Sequence, residues 1–197
     1  MRSIFIFIAL LALSGCQSLI LSSNSLIHKD NTVTVKNLEL KLTIDESYGY
    51  LGEYEFSQFM KYSDTLQGGT IHNGKSIVYE NKKNHSFVVI MKKTCNQCVF
   101  TPSSRIPESD GPSSFFIGSN RYYKRVGCAN LTPKDEEDEQ LIKLLMSSNN
   151  NGIYEGRFNY NGTTSGVNNS YFELYVASPR NKSGQIKIDD VVKMEAM

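Results

Sequence analysis

Leu38, Leu40, Leu42 and Ile44 alternate with Glu39, Lys41, Thr43 and Asp45, directly after Thr32-Val33-Thr34-Val35. A period of two sends successive side chains to opposite faces of a pleated strand. The stretch therefore reads as a half-buried strand whose charged face is solvated. Other stretches carry the same signature. Tyr50, Tyr54, Phe56, Met60 and Tyr62 alternate with Glu53, Glu55, Ser57 and Lys61, and their aromatic content favours strand. Phe59 breaks that alternation and leaves a short helix over Phe56 to Tyr62 as the competing reading. Ser76 to Glu80 and Ser86 to Met91 read as two strands joined through Asn81-Lys82-Lys83-Asn84. Ser113 to Gly118, Arg121 to Cys128, Ile153 to Tyr160, Tyr171 to Ala177 and Gln185 to Val192 are further strands.

The turn chemistry fits a β-rich chain. Asn73-Gly74, within His72-Asn73-Gly74-Lys75, predicts a hairpin turn because that pair accepts positive φ at both central positions. Asn161-Gly162, Gly166-Val167-Asn168-Asn169 and Pro179-Arg180-Asn181 predict others, with Gly162 to Gly166 as a long hairpin loop. Thr101 to Ser114 holds Pro102, Pro107, Gly111 and Pro112 and reads as irregular, since proline removes ladder donors and disfavours helix before it.

One helix stands out, over 133–147. Thr132 suits the N-cap and Pro133 the first helical position, while Asp135 to Glu139 crowd the positive end of the dipole. Leu141, Leu144 and Leu145 form its apolar face, and Asn149-Asn150-Asn151-Gly152 stops it. Successive carboxylates on a helix point in different directions, so the acidic run reads as a solvated helix start rather than a cation site. Its leucines and those of Leu38-Leu40-Leu42 are expected to face one shared core. Strands on both sides of one helix, without strand–helix alternation, give an α+β fold that is mainly antiparallel β-sheet.

The N-terminus carries an address. Met1-Arg2-Ser3 precedes the unbroken apolar run Ile4 to Leu13, which is too short to span a bilayer as a helix but fits a secretory leader. Leu13-Ser14-Gly15-Cys16 follows, and it resembles the lipobox of bacterial lipoproteins. That resemblance implies a cleaved signal peptide over 1–15 and a lipidated Cys16 held stably in a lipid bilayer by its acyl chains. Gln17 after the cysteine resembles the outer-membrane class of these proteins when the source has two membranes. Residues 16–31 then form a lipidated N-terminus and flexible Ser/Asn-rich tether, and 32–197 a single globular domain.

Charge excludes one partner class. Lys and Arg total 21 against 20 Asp and Glu, and loss of Arg2 with the leader leaves the side chains neutral overall. The basic pairs Lys82-Lys83, Lys92-Lys93 and Lys124-Arg125 are too short for a polyanion footprint and suit strand ends or sheet edges, so nucleic acid is not an expected partner.

With Cys16 lipidated, Cys95, Cys98 and Cys128 remain, an odd number in an oxidising compartment. Three readings compete. A structural bridge would run from Cys128 to Cys95 or Cys98, tying the end of the Phe87 strand to the Arg121 strand. A redox pair would use Cys95-Asn96-Gln97-Cys98 after Phe87 to Met91, superficially like the thioredoxin superfamily. That family continues into a helix which activates the thiol, whereas Val99-Phe100-Thr101-Pro102 cannot. A metal site would add His72 or His85. The residues favour the long-range bridge. No nucleophile elbow, zincin motif, phosphate loop or dinucleotide fingerprint is present, and no cofactor is expected. The expected function is a membrane-anchored, non-catalytic binding or assembly module for an envelope protein or glycan. The alternative is a periplasmic thiol–disulfide oxidoreductase using Cys95 and Cys98.

Overall fold

The computed structural model describes residues 26–61, 68–96, 98–107, 111–148, 157–167, 169–180 and 186–197. The leader, Cys16, Gln17, the stop at Asn149 to Gly152 and the strand start at Ile153 lie outside them. Among the described residues eleven strands form two antiparallel sheets, accompanied by one α-helix. The fold is therefore α+β and mainly antiparallel β.

The smaller sheet holds β1 (Leu26–Lys29), β2 (Thr32–Val35), β3 (Leu40–Ile44) and β11 (Val192–Ala196), paired in the order β1-β2-β3-β11. Its alternation is as the period predicts: Leu40, Leu42 and Ile44 are buried while Lys41 and Thr43 are exposed. The tether is shorter than expected. Leu26 is buried, and Leu26 to Lys29 pair with Thr32 to Val35, so of the last six residues assigned to the tether four are strand and Asp30 and Asn31 form the turn between β1 and β2. At the other end, Ile188–Asp190 forms a 3-10 turn and only Val192 onward is strand, in place of the strand expected over Gln185 to Val192.

The larger sheet is two meanders joined edge to edge. β4 (Gly49–Lys61), β5 (Gly69–Asn81) and β6 (Ser86–Cys95) form one. β7 (Ser114–Ile117), β8 (Asn120–Asn130), β9 (Arg157–Val167) and β10 (Ser170–Pro179) form the other. The last strand of each pairs with the other, giving β4-β5-β6-β10-β9-β8-β7. β4 is strand throughout, so the helix reading over Phe56 to Tyr62 fails over the described residues. The β5–β6 hairpin turns where expected: Lys83 N donates to Asn81 Oδ1 at 3.0 Å and Ser86 N to Asn84 Oδ1 at 2.9 Å.

Two expected turns are strand instead. Asn73-Gly74 lies inside β5, opposite Ser57 and Phe56. Gly74 is not at positive φ; it is glycine because the Phe56 ring lies across it, where a Cβ would collide. Asn161-Gly162 and the hydroxyl-rich run to Gly166 lie inside β9, with Thr163, Thr164 and Ser165 buried. Thr163 Oγ1 donates to Tyr123 O at 3.2 Å and Ser165 Oγ to Arg121 O at 2.8 Å, which satisfies two of the three hydroxyls in the sheet.

The helix α1 (Glu136–Ser148) starts three residues later than the Pro133 start expected. Asp135 rather than Thr132 caps it, accepting from Asp138 N at 3.0 Å. It packs on the face of the large sheet that turns away from the small sheet.

The large sheet is thus covered on both faces, and two cores result. Leu40, Leu42, Ile77, Tyr79, Val88 and Leu174 belong to the core between the sheets. Leu141 and Leu145 pack with Val78, Phe87, Val89 and Phe158 on the helix side. The single shared core is therefore corrected to two, because a continuous sheet stands between the strand leucines and the helix leucines. Lys92 and Lys93 are corrected as well. β6 is a central strand rather than an edge, and it buries Lys92 to 7 % exposure.

Candidate functional site

The last residue of β6 starts the most chemically loaded corner of the molecule. Cys95 and Cys98 are joined by a disulfide, and Cys128 is free and exposed. The favoured bridge to Cys128 is therefore corrected to the local pair. Strand order supplies the reason. Cys128 sits on β8, and β10 and β9 lie between it and β6. Three inter-strand steps are roughly 14 Å, about twice the largest Cα separation a disulfide spans. Cys128 Sγ instead donates to Asn159 Oδ1 at 3.1 Å.

The antiparallel register of β5 and β6 sets His72 directly opposite Cys95. One imidazole nitrogen and the Sγ atoms of Cys95 and Cys98 all lie within 4.8 Å of one another. His85, the other candidate ligand, is in the loop at the far end of the hairpin and takes no part. Cys95 is buried, while His72 and Cys98 are half-buried. Cys95 N donates to Asn169 O at 3.1 Å, which fixes the strand end. Burial, reinforced by the charge of Lys93, holds the His72 imidazole below its ordinary pKa, which favours its neutral form.

After Cys98 the chain forms a strap over the open half of the helix-side face. Phe100 packs against His72 at 5.1 Å and Tyr171 at 5.3 Å between ring centroids. Pro102 lies over Gly166, where a Cβ would stand 2.9 Å from its ring. Arg105 then joins the β8 edge, its N–H donating to Lys124 O at 2.9 Å and its carbonyl accepting from Val126 N at 2.7 Å. Pro102 serves that crossing, and apart from the bridge at Arg105 the described residues between Thr101 and Pro112 are irregular, as expected.

Beside the disulfide a row of charges crosses the same face. Glu137 of α1 pairs with Lys93 of β6, and Glu173 of β10 pairs with Arg125 of β8 at 3.5 Å. Arg125 also donates to Tyr171 Oη at 3.3 Å. Burial raises the pKa of both carboxyls, outweighing the pull of Lys93 on Glu137 and of Lys93 and Arg125 on Glu173. The acidic start of α1 is thus not wholly solvated. Glu137 is drawn down onto the sheet, and Asp135 accepts from Gln58 Nε2 at 3.1 Å.

A second feature lies on the opposite face, at the far end of the β4–β5 hairpin. Phe59 and Ile71 are cross-strand partners and are 58 % and 53 % exposed. They share the face of Ile77 and Tyr79 but extend past them, separated from the core by the Lys75–Glu53 ion pair at 2.8 Å. β4 is also an edge strand of the sheet. Sequence reading passed over this pair because Phe59 looked like an interruption of the alternation. His72 was named as a ligand candidate, but only the register shows that it meets the cysteines.

The class these observations define is a three-layer α+β domain: small sheet, large sheet, helix and strap. No family model, no curated protein and no solved structure matches the chain. Among the described residues no helix is long and apolar enough to cross a membrane.

Proposed function

We propose that this protein is a lipid-anchored lipoprotein of the cell envelope whose folded domain is a non-catalytic binding or assembly module for an envelope protein or glycan. The anchor rests on the leader and on Leu13-Ser14-Gly15-Cys16, and Gln17 favours the outer membrane in a cell that has two. The observation that carries the binding reading is the Phe59–Ile71 corner. Two large apolar side chains standing paired in water at a sheet edge make a contact surface, and the edge strand adds unpaired backbone groups to it. Cys16→Ser tests the anchor. The variant should accumulate as uncleaved precursor or leave the outer envelope; mature-sized protein that still sediments with membranes would refute the leader.

The second reading is a thiol–disulfide oxidoreductase using Cys95 and Cys98, and the pairing of those two beside His72 favours it. The burial of Cys95 and the strap that follows Cys98 in place of a helix weigh against it. Catalytic reduction of a protein disulfide separates the two. The module reading expects none from the wild type and unchanged partner capture by Cys98→Ser. Turnover by the wild type that Cys98→Ser abolishes would establish the oxidoreductase.

A further inference from the structure

We propose that, once their disulfide is opened, Cys95 and Cys98 together with His72 form a three-coordinate site for a soft monovalent metal ion, Cu(I). The proposal is independent of what docks at the Phe59–Ile71 corner.

Three donors already converge. Their ligand atoms lie within 4.8 Å of one another. Cys95 and His72 are held face to face by the ladder between β5 and β6, and Cys98, three residues further along the chain, is bonded to Cys95 there. Metal–sulfur and metal–nitrogen bonds of about 2.3 and 2.0 Å would hold such atoms roughly 4 Å apart around a trigonal ion. Small side-chain rotations therefore suffice, with no rearrangement of the sheet.

The donor set selects the ion. Thiolates are soft ligands that favour Cu(I), Zn(II) and iron–sulfur clusters. A structural zinc site takes four protein ligands, and a zinc held by two Cys and one His needs water as its fourth. Among the described residues only these three gather here, under the Phe100 ring and with Cys95 buried, which favours an ion content with three. Two thiolates and one neutral imidazole match a trigonal Cu(I). The centre would carry one net negative charge, and Lys93 stands two residues before Cys95 on the same face of β6. The ring of Phe100 against His72, and the burial of Cys95, keep bulk water from much of the site.

The chemistry balances. A trialkylphosphine and one water convert the disulfide to two thiols and a phosphine oxide; in the envelope a dithiol reductant would become a disulfide in exchange. Binding Cu(I) then releases the two thiol protons and leaves the ion bonded to two sulfurs and one imidazole nitrogen. No electron moves in that second step. A bound ion and a Cys95–Cys98 bond exclude each other.

The test is a competition titration of the purified protein, reduced with a phosphine, against the coloured Cu(I)–bicinchoninate complex under nitrogen, followed by X-ray absorption. The reduced wild type should withdraw one Cu(I) per chain, with two sulfurs and one nitrogen in the inner shell, and the oxidised protein none. His72→Ala and His72→Gln should each weaken binding by at least about tenfold, and Cys128→Ser should change nothing. No withdrawal by the reduced protein, equal withdrawal by the oxidised one, or a requirement for Cys128 would overturn the site. So would full affinity in both His72 variants. Should neither variant fold, the wild-type absorption spectrum decides alone: an inner shell without nitrogen contradicts the assignment.

Discussion

Leu42→Ala and Leu145→Ala are each expected to cost about 2–5 kcal/mol, and the double variant to lose their sum to within about 0.5 kcal/mol. Both side chains are fully buried, so truncation removes transfer free energy and leaves a cavity. They belong to different cores. Leu42 fills the space between the sheets and Leu145 the space between α1 and the large sheet, with that sheet between them. Cavities that share no neighbours do not relax together. Thr43→Ala, on the solvated face of β3, should stay within about 0.5 kcal/mol. Urea unfolding of the wild type and the four variants measures this. A coupling of more than about 1 kcal/mol between the leucines would mean one continuous core, and equal losses at Leu42 and Thr43 would contradict the strand.

Lys93→Met is expected to destabilise the fold by about 2–3 kcal/mol at pH 7 and by little near pH 4. Lys93 is the cation that Glu137 pairs with, and it also pulls on Glu173. Removing one partner of a fully buried pair costs about 3–5 kcal/mol. The Lys93 and Glu137 side chains keep 20 % and 13 % exposure, so a smaller loss is expected. The sign follows from the raised carboxyl pKa values. A carboxyl that binds its proton more tightly folded than unfolded favours folding most below the ordinary carboxylate range. That contribution is lost as pH rises through the raised folded value. Lys93 limits the loss, and without it both carboxyls are raised further. The deficit of the variant should therefore grow from about pH 4 to pH 7. Adding Glu137→Gln should restore part of it at pH 7. A deficit independent of pH would place the effect in packing against Phe56, which Lys93 also contacts at 5.5 Å from the ring centroid.

The elements legible in the sequence are those whose signal is local. β3 announces itself through Leu40, Leu42 and Ile44, and the β5–β6 hairpin through two apolar runs around Asn81 to Asn84. What escaped depends on contacts far apart in the chain. Gly74 looks like a turn residue until Phe56 is found lying across it. Thr163 to Ser165 look like a loop until β8 supplies acceptors for two of the hydroxyls. The helix start was misplaced because Thr132-Pro133 is a good start signal, yet Asp135 caps more effectively with Gln58 holding its other oxygen. The disulfide turned on strand order. β6 and β8 look like neighbours in sequence, but β10 and β9 pass between them, and no local pattern encodes that insertion. The same long-range pairing brings His72 to Cys95.

Photocrosslinking in intact cells tests the account most directly. A photoreactive residue at Ile71, in the apolar corner, is compared with one at Lys143 on the exposed face of α1. The tethered-module reading predicts a discrete adduct from position 71, none from position 143, and loss of the adduct when Phe59→Asp or Cys16→Ser is added. The same pattern at both positions, or an adduct that survives both second changes, would contradict it.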